Sequence, residues 1–376
     1  MTVSNAERAH PPGVLASAPW AALAWSAVAL GLGIGWGAGL LPVGVPTEDG
    51  FGSLFVAAGA GAAVAASLVM GGLGVVLSLV VLSGRARWGR AVEFASWAMA
   101  GVAFLVFVDG QLLAWLGYTM ILPVVGWTVP GLAGAWLEAT LRPTHLTVLF
   151  FALGVLVWGV AALYRRRAVG GACPRCGRDG HWTPRVEARV RERARRTGVV
   201  AVTAGSAVAL VYPVLRLPWL FGIPMGMDPE VFEEMTRTGE HIVVGVGLGS
   251  AALAGVALMS GLVLRWGVRL PWWTLGLAGS RVPVSLAVVP ATVVSLALLA
   301  MGRSWLVMLG EADPTRWSDP NTFALLSMGV WGVALAVATV AYAVRRRSEC
   351  GRCGRGLAEG GTAPVGLGEE AAAMER

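Results

Sequence analysis

All four cysteines of this 376-residue chain lie in two short copies of one phrase. The first reads Cys173-Pro174-Arg175-Cys176-Gly177-Arg178 and the second Cys350-Gly351-Arg352-Cys353-Gly354-Arg355. Two thiolates at this spacing span one edge of a tetrahedral Zn²⁺ site. The glycine after the second cysteine permits the tight turn that aims backbone N–H groups at the sulfurs. Two such turns complete a Cys₄ set, so Cys173, Cys176, Cys350 and Cys353 are the candidate metal ligands and Zn²⁺ the candidate cofactor. The same residues admit a dithiol redox pair activated by the adjacent arginines, or free thiols with no ligand. His181 is a further candidate ligand or a solvated loop side chain. A Cys₄ site shared between two copies of the chain, and hence a homodimer, satisfies the same spacing.

Each phrase follows a long apolar run and an arginine triplet: Tyr164 with Arg165, Arg166 and Arg167, then Tyr342 with Arg345, Arg346 and Arg347. The elements that position the thiols are therefore membrane exits. Composition agrees, with 56% hydrophobic and 14% charged residues, where soluble domains carry about a quarter charged. Apolar blocks of roughly 20 residues match a hydrocarbon core of about 30 Å at 1.5 Å per residue. The expected fold is all-α, a polytopic membrane protein of about eight spans: Leu15–Trp36, Val56–Leu82, Val92–Leu116, Leu146–Leu163, Gly198–Leu217, Ile242–Leu264, Val282–Met301 and Phe323–Val344. The first run is too long for a cleaved signal core and reads as a retained span.

Every one of the 29 basic residues is arginine, a composition of high-GC bacterial genomes. Arg85, Arg87 and Arg90, the crowd from Arg165 to Arg196, then Arg265, Arg269 and Arg281, and Arg345 to Arg355 fall in alternate loops. The positive-inside rule then puts both termini in the cytoplasm of a bacterial inner membrane. Most acidic residues, such as Glu138, Asp228, Glu233 and Glu311, fall on the other side. Topology accounts for the net charge of +7, and no nucleic-acid partner is expected.

The repeated phrase, with Ser26-Ala-Val-Ala-Leu echoed at Ser206-Ala-Val-Ala-Leu, predicts a tandem duplication. Each half has an even number of spans, so the copies share one orientation as a parallel repeat. The predicted organisation is a cytoplasmic tail (1–14), a first repeat (15–178), a basic linker helix (179–197), a second repeat (198–355) and a disordered tail (356–376). In the linker, Thr183 and Pro184 suit the cap and first position of a helix, with Glu187–Arg191 and Glu192–Arg196 as i,i+4 pairs. That helix either sets topology or lies on anionic lipid headgroups.

Charge inside the membrane is the next signal. Asp109, with Gln111, sits late in span three and Arg216 late in span five. They form a candidate intramembrane polar site lining a cavity between the halves, or they snorkel outward. Pro213, Pro218 and Pro224 around Trp219 are expected to break span five near its outer end, and Asp228-Pro229 to start a short acidic helix. Glycine rows at Gly31, Gly35, Gly39 and at Gly245, Gly249 predict close helix packing. Trp20, Trp127, Trp136, Trp272, Trp273 and Trp317 suit interface anchors. No nucleophile or acid–base constellation appears, so no enzyme is expected.

A four-span unit ending in an arginine triplet and C-x-x-C-G-R, with Trp219…Gly222-Ile223-Pro224 near the outer end of its first span, resembles a group of uncharacterised actinobacterial multi-pass membrane proteins with tandem four-helix repeats. Tyr164–Arg178, Trp219–Pro224 and Tyr342–Arg355 carry the likeness. The first half departs from it in lacking Gly-Ile-Pro after Trp36. The resemblance implies placement in a membrane and no activity. Three functions suit the sequence: a scaffold or sensor whose halves are joined by a cytoplasmic zinc clasp, a small-molecule permease with a cavity between the repeats, and a membrane thiol-redox protein.

Overall fold

A computed structural model describes residues 14–47, 51–83, 89–126, 131–239, 241–272, 274, 276–310 and 320–357. Expectations for residues 1–13 and 358–376 of the tails, for Arg85 and Arg87, for Glu311, and for Trp127, Trp273 and Trp317 lie outside these residues. Among those described the chain is helical, with one isolated antiparallel bridge between Arg269 and Arg281. In hydrocarbon every backbone N–H and C=O must be satisfied within the segment, which helices achieve unaided.

The helices are α1 (Ala18–Gly37), α2 (Phe55–Leu82), α3 (Gly89–Phe107), α4 (Gln111–Val125), α5 (Leu132–Leu141), α6 (Pro143–Val169), α7 (Pro184–Ala209), α8 (Val211–Arg216), α9 (Pro229–Thr238), α10 (Leu248–Ser260), α11 (Val284–Gly310) and α12 (Pro320–Arg345). Seven helical segments, those built on α1, α2, α3, α6, α7, α11 and α12, are long and apolar enough to cross a membrane. The chain is thus an all-α polytopic membrane protein.

In the first half α1 packs on α2 and α3 on α6, with α1 also against α6. Small residues let backbones meet: a Cβ on Gly71 of α2 would lie 2.3 Å from the Leu30 nitrogen of α1. Ser67 of α2 donates to the Ala29 carbonyl at 2.8 Å. Trp25 stacks on Phe150 of α6 and donates to its carbonyl at 2.9 Å. In the second half α12 lies against both α7 and α11. Gly302 of α11 meets Gly329 of α12 backbone to backbone, and Ser295 donates to the Gly332 carbonyl at 2.9 Å. Close approach of this kind drives association where lipid tails are as apolar as leucine. Exposed Val69, Leu73 and Val76 on α2, and Val330, Val333 and Val340 on α12, face outward as lipid-facing residues do.

Three spans differ from the sequence expectation. Span three ends early: α3 stops at Phe107, residues 108–110 are irregular, and α4 begins at Gln111. The break is held from the other half, where the Ser304 hydroxyl accepts the Gly110 N–H at 2.8 Å. The linker helix and span five are one continuous helix, α7, capped by the Thr183 hydroxyl on the Val186 N–H at 3.2 Å. Nothing between Thr197 and Gly198 interrupts it, because no proline falls between Pro184 and Pro213 and only the solvent around the helix changes. Span six is a π-helical turn, His241–Gly247, running into the short α10. There Trp219 packs on Gly245, where a Cβ would lie 2.4 Å from the ring. As expected, the prolines divide the end of span five into α8 and a 3-10 turn, Leu217–Phe221, and Asp228 caps α9 through the Glu230 N–H at 2.9 Å.

The halves meet through α11, which packs on α3 and α4. Arg303 of α11 donates to the carbonyls of Leu105 (3.0 Å) and Gly52 (2.9 Å), both in the first half. α11 ends and α12 begins at this end of the bundle, and the cysteines follow α12 at the other.

Candidate metal centre

The first thiol turn hangs directly from α6. The helix closes at Val169, the Ala172 N–H donates to the Arg167 carbonyl at 2.9 Å, and Cys173 follows. Within the turn the Cys173 N–H donates to the Arg178 carbonyl at 2.9 Å and the Gly177 N–H to the Cys173 carbonyl at 2.7 Å. The second turn repeats this after α12: Cys350 N–H to the Arg355 carbonyl at 3.0 Å, and Gly354 N–H to the Cys350 carbonyl at 2.8 Å. Gly177 and Gly354 have φ of +75° and +67°, the left-handed region in which a Cβ is strained. That is the physical content of the glycine in C-x-x-C-G.

The two turns, 177 positions apart in sequence, face each other. Cys173 Sγ lies 4.0 Å from Cys350 Sγ, and Cys176 Sγ lies 3.6 Å from Cys353 Sγ. All four sulfurs are within 4.8 Å of one another. A tetrahedral Zn²⁺ with Zn–S near ~2.3 Å spaces its sulfurs by about 3.8 Å, so the donor set and its dimensions fit such an ion. The backbone also prepares for thiolates. N–H groups of Cys176 and Arg175 point at the Cys173 sulfur, and those of Arg352 and Cys353 at the Cys350 sulfur.

Burial opposes ionisation of Cys173, but these N–H groups and the neighbouring thiols bring it down to about 7 from an ordinary 9.0. Cys350 is lowered in the same way. Burial and the sulfurs of Cys176, Cys350 and Cys173 push Cys353 up to about 12, against the Arg355 N–H. Negative charge thus gathers easily on part of the cluster and resists completion, the state that a divalent cation relieves.

Arginines lock the turns together. Arg178 is buried and donates through Nε and Nη2 to both oxygens of Glu187 on α7, at 2.9 and 2.7 Å. This bidentate pair raises the Arg178 pKa above the usual arginine value. Its Nη1 reaches the second turn, donating to the carbonyls of Ser348 (3.1 Å) and Arg355 (3.0 Å). Glu187 also accepts from Trp182 Nε1 at 3.0 Å and lies 3.5 Å from Arg191. Arg191 in turn donates to the carbonyls of Arg347 (2.6 Å) and Leu357 (3.0 Å). Sequence reasoning read Glu187 only as a surface i,i+4 partner. The signal that points to more is the arginine closing each C-x-x-C-G-R, which has to reach something fixed.

The other expected residues are dispersed. His181 is exposed and outside the sulfur cluster. Asp109 is buried and accepts the Gln111 N–H at 3.0 Å, with Arg303 as the neighbouring charge. Arg216 is buried over the rings of Trp219, at 4.2 Å, and Tyr212, at 5.2 Å. Among the described residues no ion pair joins Asp109 to Arg216. Compared with known proteins, the chain matches no family model, no curated protein and no solved structure.

Proposed function

We propose that this membrane protein is a scaffold or sensor whose two halves are clasped at their cytoplasmic end by a Cys₄ zinc site. The observation that supports it is the convergence of four thiols, from turns following α6 and α12, to within 4.8 Å. Cys173 and Cys176 would hold one edge of the ion and Cys350 and Cys353 the other. The ion would supply a cross-link that neutralises the thiolates. The protein's own residues do the rest: Gly177 and Gly354 shape the turns, and Arg178, Glu187 and Arg191 fix the ends of α6, α7 and α12 to one another. The arginine-rich loops support a cytoplasmic setting, where thiols stay reduced and available to a metal. The two halves, with like turns and like thiols, read as tandem repeats.

Metal analysis of the purified full-length protein tests this reading. One zinc per chain is expected, absent from Cys173→Ser and Cys353→Ser protein that still elutes as a folded species. One zinc per two chains would move the site to a dimer interface. Stoichiometric metal in a variant lacking all four thiols, or none in wild type prepared without chelators, would overturn the clasp.

The second reading is a thiol-redox protein, favoured by the 4.0 and 3.6 Å sulfur contacts between the turns. It requires the four thiols to be metal-free and to cycle with an oxidant in the same preparation.

A further inference from the structure

The basic turns of α7 carry a feature that the metal centre does not use. Val186, Val190 and Ala194 recur at helical spacing among arginines, and Val190 remains 42% exposed. They form one wall of a valley whose other wall is α12, including Val337 and Val340, 40% and 64% exposed. This part of the valley has a volume of about 800 Å³. It runs on through Thr197 and Val337 into a second stretch floored by Val200 and Val333. From Arg189 to Ala204 the path is about 20 Å along the helix at 1.5 Å per residue, the scale of an acyl chain.

The charged side chains all come from α7: Arg189 and Arg193 line the first stretch, and Arg196, paired with Glu192, edges the second. Arg189 and Arg193 are exposed, one helical turn apart, and line the valley. Neither forms an ion pair among the described residues. Among the described residues no carboxylate lines either stretch. The nearest acid on this helix, Glu192, is taken by Arg195 and Arg196 at 2.9 and 2.7 Å. Adjacent cations over a long valine-lined floor match an anion with an apolar tail. The mouth lies where α7 changes from arginine-rich to apolar, the level of lipid headgroups.

We infer that the valley between α7 and α12 binds one anionic glycerophospholipid of the surrounding bilayer, its phosphate between Arg189 and Arg193 and one acyl chain along Val200, Val333 and Val337. The inference rests on the membrane placement of the chain and is independent of whether the thiols hold a metal. Bound lipid would brace α7 against α12, the two helices whose cytoplasmic ends carry Glu187 and the second thiol turn.

Native mass spectrometry of the full-length protein, released from nanodiscs of equal phosphatidylglycerol and phosphatidylcholine, tests the site. Wild type should retain one phosphatidylglycerol in preference to phosphatidylcholine by about 30-fold, the effect of two arginines near an anionic headgroup. Arg189→Gln with Arg193→Gln should abolish the preference, and Arg189→Lys with Arg193→Lys should keep it, which separates lost charge from lost fold. Val337→Trp should expel the lipid whatever its headgroup. Equal retention of the two lipids by wild type, or an unchanged preference in the glutamine variant, would overturn the proposal. So would a dimer that Val337→Trp dissociates, since the valley would then belong to a second copy.

Discussion

Arg178 and Arg355 close the two thiol turns and each donates across to the other's backbone. Arg178 Nη1 binds the Arg355 carbonyl at 3.0 Å, and Arg355 Nη1 binds the carbonyls of Arg178, at 3.4 Å, and Asp179. The exchange is reciprocal but unequal, because only Arg178 is also held by a buried carboxylate. The cross-link therefore has a protein component beside the thiols.

That asymmetry makes the two arginines separable by mutation. Arg178→Met leaves Glu187 in a buried site without its bidentate partner and should cost about 3 kcal/mol locally. Zinc should then be lost to a competing chelator far more readily than from wild type. Arg355→Met removes only carbonyl contacts and should weaken retention by about tenfold or less, near 1 kcal/mol. Equal chelator sensitivity of the two variants would show that the Glu187 anchor does not matter to the site.

Alkylation of chelated protein should depend on pH in a residue-specific way. Only the thiolate reacts, and Cys173 sits near 7 where Cys353 is pushed to about 12. Raising the pH from 6 to 8 passes through the Cys173 value and stays far below that of Cys353. Labelling mapped by peptide mass spectrometry should rise at Cys173 across this window and remain low at Cys353. Parallel rise at both positions would contradict the arrangement of N–H groups around the sulfurs.

Oxidation of the chelated protein should join the halves covalently. With diamide, two thiols lose two protons and two electrons, the reagent is reduced to its hydrazine, and one S–S bond forms. Contacts of 4.0 Å between Cys173 and Cys350, and 3.6 Å between Cys176 and Cys353, favour cross-half bonds. Peptides 173–178 and 350–355 should then be recovered disulfide-linked. Recovery of bonds only within each C-x-x-C would refute the facing geometry.

At the opposite end, Arg303 and Ser304 are the cross-half contact to break. Arg303→Gln removes donors to the exposed Leu105 carbonyl and to the carbonyl of buried Gly52. A loss of about 1–3 kcal/mol is expected, read as a lower Tm of the detergent-solubilised protein with zinc content unchanged. A Tm equal to wild type would mean that this end of the bundle is held by packing alone.

Much of this was legible in the residues themselves. Apolar length specified the long spans, since bilayer thickness leaves few alternatives. Thr183, Pro184, Asp228 and the prolines near Trp219 marked element ends because capping and the missing proline N–H act locally. The thiol spacing singled out the four cysteines as a candidate ligand set for the same reason. Partnership between distant positions was not legible. That Ser304 would hold the broken backbone at Gly110, that Glu187 would leave the surface to anchor Arg178, and that Asp109 would neighbour Arg303 while Arg216 lies over Trp219 all depend on which helices adjoin. Helix adjacency in a bilayer follows from close packing of small residues such as Gly71, Gly302 and Gly329, and composition and hydropathy are nearly blind to it. Only the tertiary structure decided that two turns 177 positions apart meet sulfur to sulfur.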